Sequence, residues 1–350
     1  RCAGKKVGLM RIGFSLLLAL LLGACGKPAL YQQESYVFGT RVTLSIAGVE
    51  EETARQAAAE ALAELDRLHA KLHSWRPSAV TRLNEAFARG ESAPVDAELA
   101  GMLHQAADFA RKSDQLFNPA VGNLVALWGF HRDTYEPVVP DASKLAALLA
   151  AKPSLDDLSF DGDRVASRNR SVALDLGGFA KGWALDRVAA GLRSRGIRNA
   201  LINIGGNVLA LGSKGGAPWR VGLQHPRKPA PMATIELKDG EAIGTSGDYQ
   251  RFFERNGKRY SHLIDPRNGQ PASVAQAATV IAAGPGAGTL SDVATKSLFV
   301  GGSGTALKYA KRFGLNDVLL VEADGTVRTT RSLQARIAWL EKPAHLSLLE

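Results

Sequence analysis

The chain predicts a single domain of the mixed α/β (α+β) class, and three observations carry that reading. Apolar residues recur at three- and four-residue spacing over Glu51 to Leu72 and again from Ala97 to about Lys112, the period of helices with one buried face. Short apolar runs bounded by glycine fill the second half, and Asn256-Gly257 separates two strand-like segments as the turn of an antiparallel hairpin. Behind the N-terminal leader there is neither a second linker nor a fixed-period repeat, so nothing divides the remaining chain. With 350 residues, 45% of them hydrophobic and 22% charged, a sizeable core is available.

The N-terminus reads as an export signal. Basic residues precede Ile12 to Leu22, an apolar run too short to span a bilayer as a helix and suited to a secretory core region. Leu22-Gly23-Ala24-Cys25 resembles a bacterial lipobox, which implies cleavage before Cys25 and lipidation of its thiol; an unmodified thiol is the alternative. The expected organisation is therefore a signal peptide over 1–24, a lipidated tether over 25–35 and a folded domain over 36–350. Cys2 and Cys25 are the only cysteines, so the folded domain holds no disulfide. The net charge is +9, but Arg1, Lys5, Lys6 and Arg11 belong to the leader, and no dense basic run interleaved with aromatics appears elsewhere. Nucleic-acid binding is excluded on that ground.

Element by element, Tyr36 to Ile46 alternates as a strand with Gly39 as a bulge, and helix 51–72 starts with the acidic pair that suits its positive end. Trp75-Arg76-Pro77-Ser78 opens a loop, and Asp96 caps the second helix. Leu116-Phe117-Asn118-Pro119 is a turn inside an apolar run, Asp141 to Ala151 a short helix, and Phe160 to Asp163 a hairpin turn. Val172 to Leu176 reads as a buried strand, Gly177-Gly178 as a turn, and Ala184 onward as a helix that stops at Gly196. Ala200 to Leu211 is a buried strand broken by a glycine pair, followed by strands at Trp219 to Leu223, Thr234 to Leu237 and Ala242 to Thr245. After the Asn256-Gly257 hairpin come a strand at Ala277 to Ala283, helices at Leu290 to Val300 and Thr305 to Phe313, and a last strand at Val318 to Glu322.

Chemistry concentrates where glycines meet polar residues. In Ala173 to Asp186, Gly177 and Gly178 let a ligand approach the backbone, with Asp175 and Lys181 flanking the turn. A plain strand-to-helix connection is the competing reading; a Walker loop is ruled out, since no Ser or Thr follows a Gly-Lys pair. Three more such clusters, Asn203 to Asn207, Thr245 to Tyr249 and His262 to Gly269, suggest strand ends converging on one anionic ligand.

Phe38-Gly39-Thr40, Asp175-x-Gly-Gly-x-Ala-Lys-Gly182, Asn203-x-Gly-Gly-Asn207, Thr245-Ser-Gly-Asp-Tyr249, Ser261-His-x-Ile-Asp-Pro266 and Ser291-Asp292 occur in the order of the FAD:protein FMN transferases, and the chain resembles that ApbE-type lipoprotein family over about residues 36 to 325. The resemblance implies one catalytic domain of mixed, largely antiparallel sheet packed with helices. It also implies magnesium-dependent transfer of the FMN half of FAD to a Thr or Ser hydroxyl of an exported protein, such as a respiratory or electron-transfer subunit, with release of AMP. Matched residue by residue, it makes Asp175 and Lys181 contacts to FAD, and the Gly178 carbonyl and Asp292 metal ligands. Phe38, Trp75, Leu116, Phe117 and Asn118 fall on the flavin side, where Phe38 stands for the commoner Met, Trp75 for Tyr, and Asn118 for Asp. Lys181 beside the pyrophosphate and Asp292 join His262, the best general-base candidate, as the catalytic set. A hydrogen-bonded structural histidine is the competing reading of His262.

The commoner pattern places a metal-binding Thr where this chain has Lys296, with Thr295 one residue early. Thr295 shares the helix face of Asp292 and is the remaining hydroxyl ligand; equally, Lys296 can pair with Asp292 and put an ammonium where magnesium would sit. An FAD pyrophosphatase and a non-catalytic FAD-binding lipoprotein are the alternative functions.

Overall fold

The computed structural model describes residues 30–132, 134 and 136–349. The expected signal peptide, Cys25 and tether residues 25–29 lie outside the described residues. The main sheet comprises β1 (Leu30–Val37), β2 (Thr40–Ala47), β3 (Ala200–Ile204), β4 (Asn207–Leu211), β5 (Glu241–Gly247), β6 (Ala275–Ala283), β7 (Asp317–Glu322), β8 (Val327–Thr329) and β9 (Leu346–Leu348). Their spatial order is their chain order, and every neighbouring pair is antiparallel except β8 with β9. The fold is thus an antiparallel sheet into which helical excursions are inserted, the largest between β2 and β3.

Side-chain alternation splits the strands between two cores. Leu44, Ile202, Leu209, Val280 and Leu320 face the helices, including Glu51–Leu72, Ala180–Ser194 and Ala287–Gly301. Val208, Ala210, Ile243, Ile281 and Leu319 face the other way, onto Trp219, Leu223, Ile235 and Leu237. Those residues come from the small sheet Trp219–Gln224, Pro231–Leu237 and Ala338–Trp339. A one-residue slip would exchange the two sets, so the register is strongly specified. A third cluster, with Trp128, Phe130, Phe253 and Ile264, joins the chain after residue 121 to the Phe252–Arg255/Lys258–Ser261 hairpin. Asn256 and Gly257 in that hairpin have φ of 51° and 72°, as a type I′ turn requires.

Several expectations are corrected. Gly39 is no bulge: Phe38 and Gly39, at φ 57° and 68°, turn β1 into β2. The stretch Leu30 to Ser35, expected in the tether, is therefore sheet, and the folded domain begins by residue 30. The glycine pair 205–206 does not interrupt one strand but folds β3 back onto β4. Val172, Leu174 and Leu176 are buried, yet the stretch is not a ladder strand: only Ala173 forms a bridge, with Val121. Leu174 instead exchanges hydrogen bonds with the Asn84 side chain, and Asp175 N donates to Pro119 O. The helix after the glycine turn begins at Ala180, not Ala184. Helix Ala79–Arg89, held by a Ser78/Thr81 capping box, and the C-terminal strands β8 and β9 add to the expected elements.

Candidate active site

Two helices meet at the site with almost no side chain between them. A Cβ on Gly182 would lie 2.4 Å from Gly288 O and 2.7 Å from Asp292 Cβ, and one on Gly244 in β5 would lie 2.3 Å from Ser291 O. Glycine is required at both positions, because any larger residue would force the helix Ala287–Gly301 out of its slot. Ser291, Asp292, Thr295 and Ser297 of that helix are fully buried. Their hydroxyls are satisfied by carbonyls three residues back, Thr295 donating to Asp292 O at 2.7 Å. Two carboxylates tie the helices reciprocally. Asp186 accepts from Gly288 N, Thr289 N and Thr289 Oγ1 at 2.8, 2.8 and 2.6 Å, and Asp292 Oδ2 accepts from Gly182 N at 2.9 Å. Burial raises the pKa of Asp186 above the usual carboxylate value, against the opposing effect of those donors.

Asp292 also carries an ion pair. Lys296, one turn on, donates to its Oδ1, and to its backbone carbonyl at 2.7 Å. The stem of Lys296 crosses Gly178: a Cβ there would sit 3.2 Å from Lys296 Cε and 3.6 Å from the Phe117 ring. Lys181 is held below the ordinary lysine pKa, first by burial and further by the charges of Lys296 and Arg251, with Asp292 opposing. His262 lies in the same field. Burial, then Arg251 and Lys181, push its imidazole well below 6.5, so it is neutral at pH 7. Its Nδ1 is 3.1 Å from Arg251 O. A carbonyl oxygen only accepts, so Nδ1 carries the proton and Nε2 the lone pair. Lys181, Lys296, Arg251, His262 and Asp292 thus act on one another in a single field, in which Lys296 holds the Asp292 carboxylate directly.

Arg251 was not singled out in the sequence, although the hairpin register signals it. Phe252 pairs with Ser261, so Arg251 stands opposite His262, and His262 N donates to Arg251 O at 3.0 Å. Its guanidinium donates to Phe130 O and lies over Trp75, 5.5 Å from the ring centroid. From Trp75 a row of rings runs through His73 and His69 to Phe38, with centroids 4.8, 5.1 and 5.3 Å apart. Asp175 Oδ1 accepts from Gly177 N at 2.9 Å and from Ser74 Oγ at 3.2 Å, fixing the glycine turn to the residue before Trp75. Phe117 is buried against Gly178, whereas Leu116 packs on Gly301. Asn118 uses its amide on Pro153 O and Ala120 N, a local turn lock.

The side-chain donors expected for magnesium are otherwise engaged. Asp292 has one oxygen on the ammonium and one on Gly182 N, the Thr295 hydroxyl is shared with Asp292 O and Ser246 Oγ, and the Lys296 stem lies over the Cα side of Gly178. Among the described residues no three carboxylate, imidazole or thiol groups gather as a metal site. This donor set, with an ammonium at its centre, does not fit a divalent cation.

Residues 38–319 match the sequence profile of the ApbE family. A Rhodobacter capsulatus protein named FAD:protein FMN transferase is 40% identical over 347 residues; the match covers 97% of this chain and 66% of that protein. A Treponema pallidum protein of the same name is 31% identical, with 95% of this chain and 96% of its own length covered. The crystal structure of an ApbE protein from Thermotoga maritima has a TM-score of 0.78 at 30% identity, covering 88% of this chain and 99% of that one. The apo flavinyl transferase ApbE of Pseudomonas stutzeri has a TM-score of 0.76 at 29% identity, over 89% and 98%. The profile match, the relatives and the shared antiparallel architecture converge: the chain belongs to the ApbE family.

Proposed function

We infer that this chain transfers the FMN moiety of FAD to a Ser or Thr hydroxyl of an acceptor protein and releases AMP. The observation that carries the reading is the coupled cluster: cations beside a glycine turn, with a neutral His262 whose Nδ1 is tied to a carbonyl. The names of the relatives support the same activity. The acceptor oxygen bonds to the FMN phosphorus, the bridging P–O bond breaks, and AMP leaves with the bonding electron pair. The acceptor proton passes to His262 Nε2, which is unprotonated at neutral pH. Lys181 and Arg251 face the charge that develops on the phosphates, where little water competes. Asp292 holds the cations in place, Asp175 with Gly177 and Gly178 shapes the pyrophosphate turn, and Phe38, Trp75 and Phe117 offer apolar faces to the isoalloxazine. Leu116 and Asn118 shape the segment that carries Phe117. No step is routed through magnesium, because the residues present do not fit it.

The acceptor is an exported protein, such as an electron-transfer subunit, and the enzyme reaches it from a membrane anchored through lipidated Cys25. The lipobox-like leader supports both the export and the anchor. The test is incubation of the chain with FAD and the exported proteins of its host, followed by intact-mass analysis. An FMN increment on Ser or Thr with matching AMP is expected. AMP and free FMN without an adduct would make it a pyrophosphatase, and tight FAD binding without AMP a flavin carrier.

A further inference from the structure

The buried carboxylate of Asp292 already holds a cation, and that cation belongs to the chain. We propose that Lys296 supplies the positive charge at the phosphate-handling corner from within the fold, so that FAD is bound and cleaved without a divalent metal. The proposal rests on the FMN-transfer reading. Geometry supports it in two ways. The ammonium is gripped by both the side chain and the backbone carbonyl of Asp292, one helical turn away, which fixes it without any outside ligand. Its stem lies across Gly178, so the charge sits on the same side as the glycine turn that approaches the ligand.

Electrostatics points the same way. Lys181 and Lys296 both lie within reach of the Asp292 carboxylate, so two ammonium groups share one buried counter-charge beside the glycine turn. A pyrophosphate diester carries one negative charge on each phosphate and suits such a pair. A dication added beside Lys296 would meet two ammonium groups, while Asp292 already gives one oxygen to the Lys296 ammonium and the other to Gly182 N. In the transfer itself, Lys296 faces the AMP phosphate as the bridging bond breaks and its oxygen takes the electron pair, while the acceptor proton goes to His262.

Manganese serves as the probe, followed by electron paramagnetic resonance of the free ion as it is titrated into the full chain with FAD present. No stoichiometric site is expected, and FAD affinity measured by flavin fluorescence should be the same in EDTA as in magnesium. One tightly bound manganese per chain, or FAD affinity falling more than tenfold in EDTA, would overturn the proposal. Lys296→Thr removes the ammonium and frees an Asp292 oxygen beside a hydroxyl. It should bind manganese and lose at least tenfold in FAD affinity, a loss that the metal restores. If it binds FAD as the parent does in EDTA and takes no manganese, the proposal is wrong. Should that variant fail to fold, the titration of the unaltered chain decides alone. Absence of AMP release under every condition would instead defeat the FMN-transfer reading, leaving the metal and FAD-binding readouts to judge this one.

Discussion

Asp186 and Asp292 are buried carboxylates that join the same two helices, yet they are satisfied in opposite ways. Asp186 reaches from the first helix to the start of the second and takes only neutral donors, two amides and a hydroxyl. Asp292 reaches back from the second helix to Gly182 with one oxygen and gives the other to an ammonium. A carboxylate closed by backbone amides has nothing left to offer a ligand and acts as a lock. One closed by a lysine keeps a charge poised beside a glycine turn, and only there do Lys181, Arg251 and His262 gather. Burial alone therefore does not mark the site; the charge of the partner does.

Removing each carboxylate separates the two roles. Asp292→Ala leaves Lys296 and Lys181 without their buried counter-charge and should cost about 3–5 kcal/mol of stability in urea unfolding, with FMN transfer abolished. His262→Gln keeps the ion pair but deletes the base; transfer should fall about a hundred- to ten-thousand-fold in an AMP-release assay while FAD still binds. Asp186→Asn weakens the lock and should cost about 1–3 kcal/mol in the same unfolding measurement, with the rate per folded molecule unchanged. A slower rate with intact stability would show that the two carboxylates are not so distinct. Trp75→Ala should weaken FAD binding by roughly 1 kcal/mol, and Trp75→Phe should largely preserve it.

The pH dependence gives the smallest and most selective signal. His262 is depressed below 6.5 in the folded chain, so between that depressed value and 6.5 the unfolded chain binds a proton that the folded chain does not. Stability should fall as pH drops below 6.5, and this part of the fall should vanish in His262→Gln. Activity should show no loss as pH is lowered through 6.5, because the base is still unprotonated there.

Legibility in the sequence followed how local the determining contacts are. The Ala and Leu spacing of helix 51–72 and the Asn256-Gly257 turn depend on neighbours a few residues away, and both stand where they were expected. The edge strand β1 was hidden because Gln32, Gln33, Glu34 and Ser35 lie at the rim of the sheet, where polar side chains are tolerated. Val172 to Leu176 carries the hydrophobicity of a strand, but its backbone partners are Asn84 and the segment around Pro119, which no local pattern announces. Within the site, the glycine turn and the helix of Asp292 were legible as motifs. That Lys296 would lie across Gly178 depends on two helices packing through Gly182, a contact between residues far apart in the chain. Arg251 belongs to no motif, and the hairpin register alone sets it opposite His262.

FMN transfer from FAD to a protein hydroxyl leaves two products in fixed ratio, a flavinylated acceptor and AMP. The most direct measurement is intact mass, together with AMP, after the chain is incubated with FAD and host exported proteins. One FMN increment on a Ser or Thr of an acceptor is expected for each AMP released, and both should be lost in His262→Gln. FAD consumed with no adduct on any protein, or no AMP at all, would contradict it.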